Sequence, residues 1–81
     1  MERTVLKRTE WLEEPMSLPT QIVLCHLPES HQPFVTWTRV MDENAKTSDH
    51  WGHYYDDLDS ALADFNERSK RYVSYLDTFC K

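Results

Sequence analysis

The chain has 81 residues, 40% of them hydrophobic, and a formal net charge of −5 at pH 7. That length supports one hydrophobic core and excludes two independent domains, so residues 1–81 are predicted to form a single domain. The acidic balance argues against nucleic acid as the main partner, because phosphate binding depends on Lys and Arg.

The expected location is the cytoplasm, with both cysteines as free thiols. No apolar run approaches the roughly 20 residues of a membrane helix, and residues 1–8 lack the apolar stretch of a signal peptide. A chain that is not exported normally keeps its cysteines reduced. Cys25, in an apolar run, and Cys80, near the C-terminus, are therefore predicted to be unpaired.

Residues 1–19 are predicted to contain a short helix and an extended connector. Four residues have the spacing of an amphipathic helix that ends before Pro15: Val5, Leu6, Thr9 and Leu12. Residues 4–6 also fit an edge strand, which is the alternative. Pro15 and Pro19 favour extended backbone leading into the first strand, because proline restricts the residue before it.

Residues 20–56 are predicted to form three antiparallel strands joined by short loops. The first, over residues 21–27, has an almost continuous apolar character, typical of a strand covered on both faces. The second, over residues 34–41, alternates and so predicts two faces: Val35, Trp37, Arg39 and Met41 on one, and Phe34, Thr36, Thr38 and Val40 on the other. After a polar loop at 42–49, residues 50–55 predict an aromatic strand that places together Trp51, His53 and Tyr55. Gly52 in that strand indicates the close approach of backbone or a bulky neighbour.

Residues 57–77 are predicted to form a long C-terminal helix that packs on one face of the sheet. Apolar residues recur at three- and four-residue steps: Leu58, Ala61, Leu62, Phe65, Tyr72, Val73 and Leu76. Asp56 or Asp57 caps the start of the helix. Two i,i+4 ion pairs are interpreted as a solvated face: Asp64–Arg68 and Glu67–Arg71. The predicted fold is therefore α+β, with the order α-β-β-β-α.

The stretch from Trp51 to Phe65 carries a resemblance to known proteins. An aromatic strand there runs straight into a helix that is capped by aspartates. This pattern resembles small uncharacterised bacterial domains, and the resemblance implies no function. The order of elements is more weakly similar to AP2-type DNA-binding domains and to double-stranded-RNA-binding domains. The working residues of both families are missing, since acidic residues stand where a basic cluster would begin the last helix.

No metal, cofactor or catalytic activity is predicted. A zinc site could draw on two groups of side chains: His50 with His53, and Cys25 with His26 and His31. His50 and His53 point to opposite faces of a regular strand, so they come together only if a bulge intervenes. Ser30-His31 and Cys25-His26 are adjacent pairs that face apart on a strand, and neither a glycine-rich oxyanion turn nor a phosphate loop is present.

The predicted function is that of a small acidic interaction module, which docks on a basic partner protein through the exposed face of its sheet. The candidate binding residues are three aromatic side chains and an acidic rim: Trp37, Trp51 and Tyr55, with Asp42, Glu43 and Asp49. Residues 42–67 contain eight acids and one base, Lys46, which suits a basic surface. Two alternatives stay open: a nucleic-acid-binding regulator that uses the sheet, and a homodimeric structural protein.

Overall fold

In the described part of the chain, a four-stranded antiparallel sheet carries one helix on one of its faces. The computed structural model describes residues 3–70 and residue 72. In chain order the elements are β1 (Thr4–Arg8), β2 (Thr20–His26), β3 (Phe34–Met41), β4 (Thr47–Tyr55) and α1 (Leu58–Arg68). Each strand pairs with its neighbour in sequence, in the order β1-β2-β3-β4. The predicted α+β class and antiparallel sheet are confirmed.

The predicted N-terminal helix is wrong, because residues 4–8 form the edge strand β1. This strand pairs with β2 from Thr4, which lies opposite His26, to Arg8, with a β-bulge before Lys7. The bulge interrupts the alternation of side chains, so the sequence shows no period of two at this point. Strand pairing prevails because the outer edge of β2 would otherwise carry unpaired backbone groups beside a buried strand. The sheet therefore has four strands, where three were predicted.

The segment after β1 stays attached to β2 and brings Leu12 into the core. Leu12 and Thr20 exchange two backbone hydrogen bonds, of 2.7 and 3.1 Å. The hydroxyl of Thr9 accepts a hydrogen bond from the backbone N–H of Ile22 at 3.0 Å. The side-chain amide of Gln21 donates to the carbonyl of Thr9 at 2.8 Å. Hydrogen bonds to and from side chains thus replace the backbone hydrogen bonds of a regular sheet where the chain leaves β1.

β2 is covered on both faces, as its apolar run predicted. Its side chains contribute alternately to clusters on the two sides of the sheet. The cluster on the helix side consists of Leu12, Ile22, Leu24, Ala61, Phe65 and Tyr72. The cluster on the side away from α1, which we call the open face, consists of Val23, Cys25, Leu27 and Val35, with Trp37 packed against it. Among the described residues, the open face is therefore covered by side chains of the sheet and its flanking residues rather than by a helix.

α1 begins at a predicted cap. The carboxylate of Asp57 accepts a hydrogen bond from the backbone N–H of Ser60 at 2.9 Å, which satisfies one of the free N–H groups of the first turn. The helix ends at Arg68. Ser69 follows as the C-cap, is buried, and donates its backbone N–H to the carbonyl of Phe65 at 2.9 Å.

The predicted helix extended further, to residue 77. Of that extension the structure describes Lys70 and Tyr72, both in helical conformation. Tyr72 is buried, and its hydroxyl shares a hydrogen bond of 2.7 Å with that of Thr20. Residues 73–77 lie outside the described part of the chain, as does Arg71 and with it the predicted Glu67–Arg71 pair.

A second bulge, in β4, places two residues opposite one. Between Thr36 and Thr38 the pairing slips by one residue, so Trp51 and Gly52 both lie opposite Trp37. Trp51 has a φ angle of 55°, in the left-handed region that bulky residues rarely adopt. A Cβ atom on Gly52 would lie 2.5 Å from the indole Nε1 of Trp37. The predicted close approach of a bulky neighbour to Gly52 is confirmed.

The same bulge changes which side chains of β4 share a face. His50 and His53 both lie opposite threonines of the helix-side face, and Tyr55 follows on that side. Trp51 lies opposite Trp37 of the open face instead. The predicted common face of Trp51, His53 and Tyr55 is therefore wrong for Trp51, because the extra residue shifts the alternation.

Replacing Gly52 by alanine should displace the indole of Trp37. The new Cβ would lie 2.5 Å from Nε1 and 2.9 Å from Cδ1, so the ring must move or the strand must shift. We expect a loss of about 1–3 kcal/mol in the free energy of unfolding, with a change in the near-ultraviolet circular dichroism of tryptophan. Ser48→Ala, at an exposed position of the same strand, is the control. A Gly52→Ala protein with unchanged stability and spectrum would contradict this packing.

Candidate functional site: the open face of the sheet

The open face can be read from strand pairing, since residues directly opposite each other lie on the same side of a sheet. Its rows are Val5, Cys25, Val35 and Tyr54; then Arg8, Val23, Trp37 and Gly52; then Gln21, Arg39 and Asp49. The buried aliphatic residues lie on the two central strands, β2 and β3. Aromatic and charged side chains surround them.

Trp37 lies at the centre of the open face. Its indole packs on Gly52 and meets the ring of Tyr54 edge-on, with the ring centroids 6.2 Å apart. The guanidinium of Arg3 lies over the same indole, with Cζ 4.8 Å from the ring centroid, in a cation–π contact. Trp37 is therefore half-buried, whereas Tyr54 remains 46% exposed.

Trp51 projects from the bulge beside this centre. Its side chain and backbone together are 70% exposed, although tryptophan is a residue that folding normally buries. Its ring lies 5.5 Å from that of the exposed His50, measured between centroids. The placement of Trp51 at the surface agrees with its predicted role as a candidate binding residue, which stays a prediction.

The charges of the open face are organised around Asp49. Its carboxylate lies 2.9 Å from Nε of Arg39 and 3.0 Å from Nη1 of Arg3. Only 10% of the Asp49 side chain is exposed. Asp49 is thus held between two arginines and does not stand free at the edge of an acidic rim.

The remaining predicted site residues lie elsewhere. Tyr55 packs against the helix-side cluster and does not reach the open face. The carboxylate of Asp42 accepts hydrogen bonds from the backbone N–H groups of Asn44 and Lys46, at 2.8 and 2.9 Å, and so shapes the β3–β4 turn. Glu43 is exposed in that turn. The structure therefore brings together Trp37, Trp51 and Asp49, but not the whole predicted set.

Two residues of the open face, Tyr54 and Arg3, are not in the predicted binding set. Tyr54 takes the place that was predicted for Tyr55, because the bulge shifts the alternation by one residue. Arg3 precedes a segment that was predicted to be helical, so its contact with Trp37 could not be foreseen. The glycine next to a tryptophan was the available signal of a bulge.

Comparisons with known proteins add no family to this description. No family model, curated protein or solved structure matches the chain. The resemblance of residues 51–65 to small bacterial domains stays a prediction. Within residues 3–70 and 72, no helix has the length and apolar character needed to cross a membrane.

A polar network fastens α1 to the other side of the sheet. Asp64 accepts hydrogen bonds from the hydroxyl of Thr36 and from Nδ1 of His53, the latter at 3.1 Å. Arg68 donates to the carbonyl and hydroxyl of Thr36, at 3.0 and 2.9 Å, and to the hydroxyl of Thr38 at 2.8 Å. The interpretation of Asp64 and Arg68 as part of a solvated face is therefore wrong. Both side chains lie between the helix and the sheet, because the sheet there offers threonine hydroxyls rather than apolar groups.

The network alters the acidity of its members. Burial acts to raise the pKa of Asp64, but hydrogen bonds from Thr36 and His53 and the positive charge of Arg68 outweigh burial, so the pKa lies below its ordinary value. For Tyr55, burial and the negative charge of Asp64 both raise the pKa of the phenol. Asp64 is therefore ionised and Tyr55 is neutral near pH 7, which suits a structural network.

Acid should weaken the protein partly through Asp64. A carboxyl whose pKa is lowered by folding contributes stability above its unfolded pKa of about 3.9, and this contribution is lost as the pH falls through the folded value. Urea unfolding between about pH 6 and pH 2 should therefore show a steeper loss for the wild type than for Asp64→Asn. Glu67→Gln, at an exposed site of the same helix, should keep the wild-type slope. Parallel curves for the wild type and Asp64→Asn would contradict a lowered pKa.

The histidines and the described cysteine do not form a metal site in this structure. Although the bulge places His50 and His53 on one face, no group of three or more His, Cys, Asp and Glu side chains in residues 3–70 and 72 could hold an ion. Cys25 is free and buried, and burial raises the pKa of its thiol, which makes it a poor nucleophile. Cys80 lies outside the described residues.

A groove of about 420 Å³ lies between β1 and α1. Its walls include Lys7, Trp11, Phe65 and Asn66. Nζ of Lys7 lies 5.4 Å from the ring centroid of Phe65, so the lysine lies across the edge of the core. The groove was not predicted, because it exists only when residues 4–8 form a strand.

Proposed function

We propose that this chain is a non-catalytic protein-interaction module that docks on a partner protein through the open face, with Trp51 as its anchor. The observation that carries the proposal is the combination of exposure and backbone strain at Trp51. Its backbone adopts a φ angle of 55° while 70% of the residue remains accessible to solvent. A bulky residue in the left-handed region costs on the order of 1 kcal/mol or more, and an exposed indole returns little of that cost through burial. Burial of the indole against another molecule would offset this cost.

The surroundings of Trp51 support a docking surface. Tyr54 and Val5 are exposed at the two ends of the first row of the open face, and Trp37 lies in the next row. Tryptophan and tyrosine dominate the binding energy of protein interfaces, because large rigid rings bury much area at little entropic cost. The buried cluster of the open face, which includes Val23 and Val35, packs beneath these aromatic side chains and limits their movement.

The face is a better candidate than the edges of the sheet. β1 has a bulge and a lysine, and β4 has the bulge at Trp51 and Gly52. Bulges and lysines on edge strands are features that prevent another strand from pairing. Docking by strand addition is therefore disfavoured on both edges, whereas the open face has no such obstruction.

Trp51→Gly should separate binding from stability. Glycine tolerates the left-handed backbone, so the variant should unfold at the wild-type temperature or above it. Loss of the indole should raise the dissociation rate of the partner by about tenfold or more. The partner is first isolated from the source cells by cross-linking at residue 51. Binding is then measured with the purified partner by surface plasmon resonance, next to thermal unfolding.

Leu58→Ala is the matched control, since Leu58 is also exposed but lies at the start of α1. It should leave the dissociation rate unchanged. An unchanged dissociation rate for Trp51→Gly would contradict the proposed anchor. Cross-linking to nucleic acid would favour the regulator, and a dimer in sedimentation that Trp51→Gly dissociates would favour the homodimeric structural protein.

A further inference from the structure

The geometry points to an acidic partner: the open face binds a protein segment that presents carboxylates next to an apolar side chain. This inference rests on the proposed docking function and adds the chemistry of the partner. It reverses the sign expected from the overall charge of the chain. The local arrangement of Arg3, Arg39 and Asp49 around Trp37 is the reason.

The open face carries more positive than negative charge. Arg3 lies over it and Arg39 on it, and Asp49 is the acid in its rows. Arg8, at the edge, also lines the groove between β1 and α1 and is not counted. The acids of the β3–β4 turn and of the start of α1 lie outside those rows. Because exposed charges interact strongly only within a Debye length of about 8–10 Å, the local arginines decide which partner docks here.

Asp49 leaves much of the two guanidinium groups unused. Its carboxylate pairs with Nε of Arg39 and with Nη1 of Arg3. The Nη nitrogens of Arg39 make no hydrogen bond within the part of the chain that the structure describes, and no buried side-chain nitrogen there lacks a partner. The Arg39 side chain is 16% exposed and that of Arg3 is 44% exposed, so Arg3 offers the more accessible guanidinium and Arg39 a partly accessible one. A guanidinium with a free pair of N–H groups matches a carboxylate in geometry and in charge.

The guanidiniums are also held in place before any partner arrives. The guanidinium of Arg3 lies over the indole of Trp37, and that of Arg39 is hydrogen-bonded to Asp49. Pre-organised arginines lose less side-chain entropy when they bind. An apolar side chain of the partner would contact Tyr54 and Trp51 beside them. The surface thus fits an acidic segment with an aromatic or aliphatic residue.

A phosphate backbone could use the same arginines, but a short acidic protein segment is the favoured source of the anion. The chain as a whole carries a net charge of −5. This charge repels a long polyanion more than a short acidic segment, since counterion release requires many cations along the strand. Nucleic acid is therefore an outcome that the experiment must be able to detect.

The test is a titration of the ¹⁵N-labelled 81-residue chain with three probes of matched length. Two are blocked peptides, Ac-Glu-Glu-Leu-Glu-Glu-NH₂ and Ac-Lys-Lys-Leu-Lys-Lys-NH₂, and the third is an oligothymidylate. The indole N–H signals of the tryptophans and the Nε–H signals of the arginines report on the open face. We expect the acidic peptide to shift the signals of Trp37 and Arg39, with little effect from the lysine peptide.

Asp49→Asn gives the sharpest expectation. Removal of its charge leaves Arg3 and Arg39 uncompensated, so the affinity for the acidic peptide should rise at least about threefold at low salt. Glu43→Gln, which removes the same charge from the exposed turn, should change the affinity by less than about twofold. Arg39→Gln should weaken binding about fivefold or more, and Lys46→Gln is its control. If Arg39→Gln fails to fold, Arg3→Gln takes its place, since Arg3 is more exposed.

Each result decides the inference. A rise in affinity for Asp49→Asn, together with a fall for Arg39→Gln, supports an acidic partner. Tighter binding of the lysine peptide, or no response of the open face to the acidic peptide, would overturn the inference and leave the docking function to the separate Trp51→Gly experiment. Tighter binding of the oligothymidylate than of the acidic peptide would overturn both.

Discussion

Phe65→Ala should cost about 3–5 kcal/mol in the free energy of unfolding, the largest loss expected of any substitution considered for this protein. Phe65 is only 3% exposed and lies in the helix-side cluster, where α1 meets Leu12, Ile22 and Leu24. Alanine would leave a cavity between helix and sheet that few neighbouring groups can fill. A domain of this size has a total stability of roughly 4–12 kcal/mol, so the expected loss is a large part of it.

Urea unfolding, followed by circular dichroism, measures this effect. Leu58→Ala is the control on the same helix and the same apolar stripe, because Leu58 is 39% exposed. It should cost less than about 1 kcal/mol, since truncating a partly exposed side chain leaves no closed cavity. Equal losses for the two variants would mean that Phe65 does not fill the core as described. A Phe65→Ala protein with wild-type stability would contradict the packing of α1 on β2.

Arg68→Ala should have the second largest effect, a loss of about 2–4 kcal/mol. Its guanidinium donates to Thr36 and Thr38 on β3, and only 14% of the side chain is exposed. Hydrogen bonds from a charged group contribute more than neutral ones. The variant would also leave Asp64 without its nearby positive charge, since Oδ2 of Asp64 lies 3.9 Å from Nη1 of Arg68. Thr36 is fully buried, so water cannot easily replace the lost donor.

Lys70→Ala provides the matched control for Arg68→Ala. Lys70 also forms an ion pair on this helical segment, with Glu67 at 3.0 Å, but its side chain is 72% exposed. Exposed pairs of this kind contribute less than about 1 kcal/mol. Arg68→Lys should lose an intermediate amount, because one ammonium group cannot reach both threonines with the same geometry. Equal stability of Arg68→Ala and Lys70→Ala would show that the network does not hold the helix on the sheet.

The start of the last helix illustrates what local sequence predicts well. Asp57 caps α1 through Ser60, and Ala61 and Phe65 face the core as their spacing predicted. A cap and a helical stripe depend on residues three or four positions apart, so the sequence contains all the information. The same holds for the alternation of β3, where Val35 and Trp37 share the open face.

Polar residues in the helix show where such reasoning stops. Asp64 and Arg68 have the spacing of a surface ion pair, and their charge suggests exposure. Their partners Thr36 and Thr38 come from a strand about 30 residues earlier in the chain. Only packing reveals that the sheet offers hydroxyl groups at this point. A charged pair on a helix therefore cannot be assigned to solvent without knowledge of the surface that the helix covers.

Local patterns by themselves determined the α+β class, the buried strand β2, the two faces of β3, the cap of α1 and the apolar stripe that faces the core. Tertiary structure decided the strand at residues 4–8, because that segment becomes extended only when the free edge of β2 supplies hydrogen-bond partners. It also decided the bulge at Trp51 and Gly52, and with it the exchange of Tyr55 for Tyr54 on the open face. A single extra residue in a strand moves every later side chain to the opposite face, and its position depends on the fit of Trp37 against Gly52 across two strands. The positive character of the open face arises in the same way, since Arg3, Arg39 and Asp49 meet only when three separate segments are brought together.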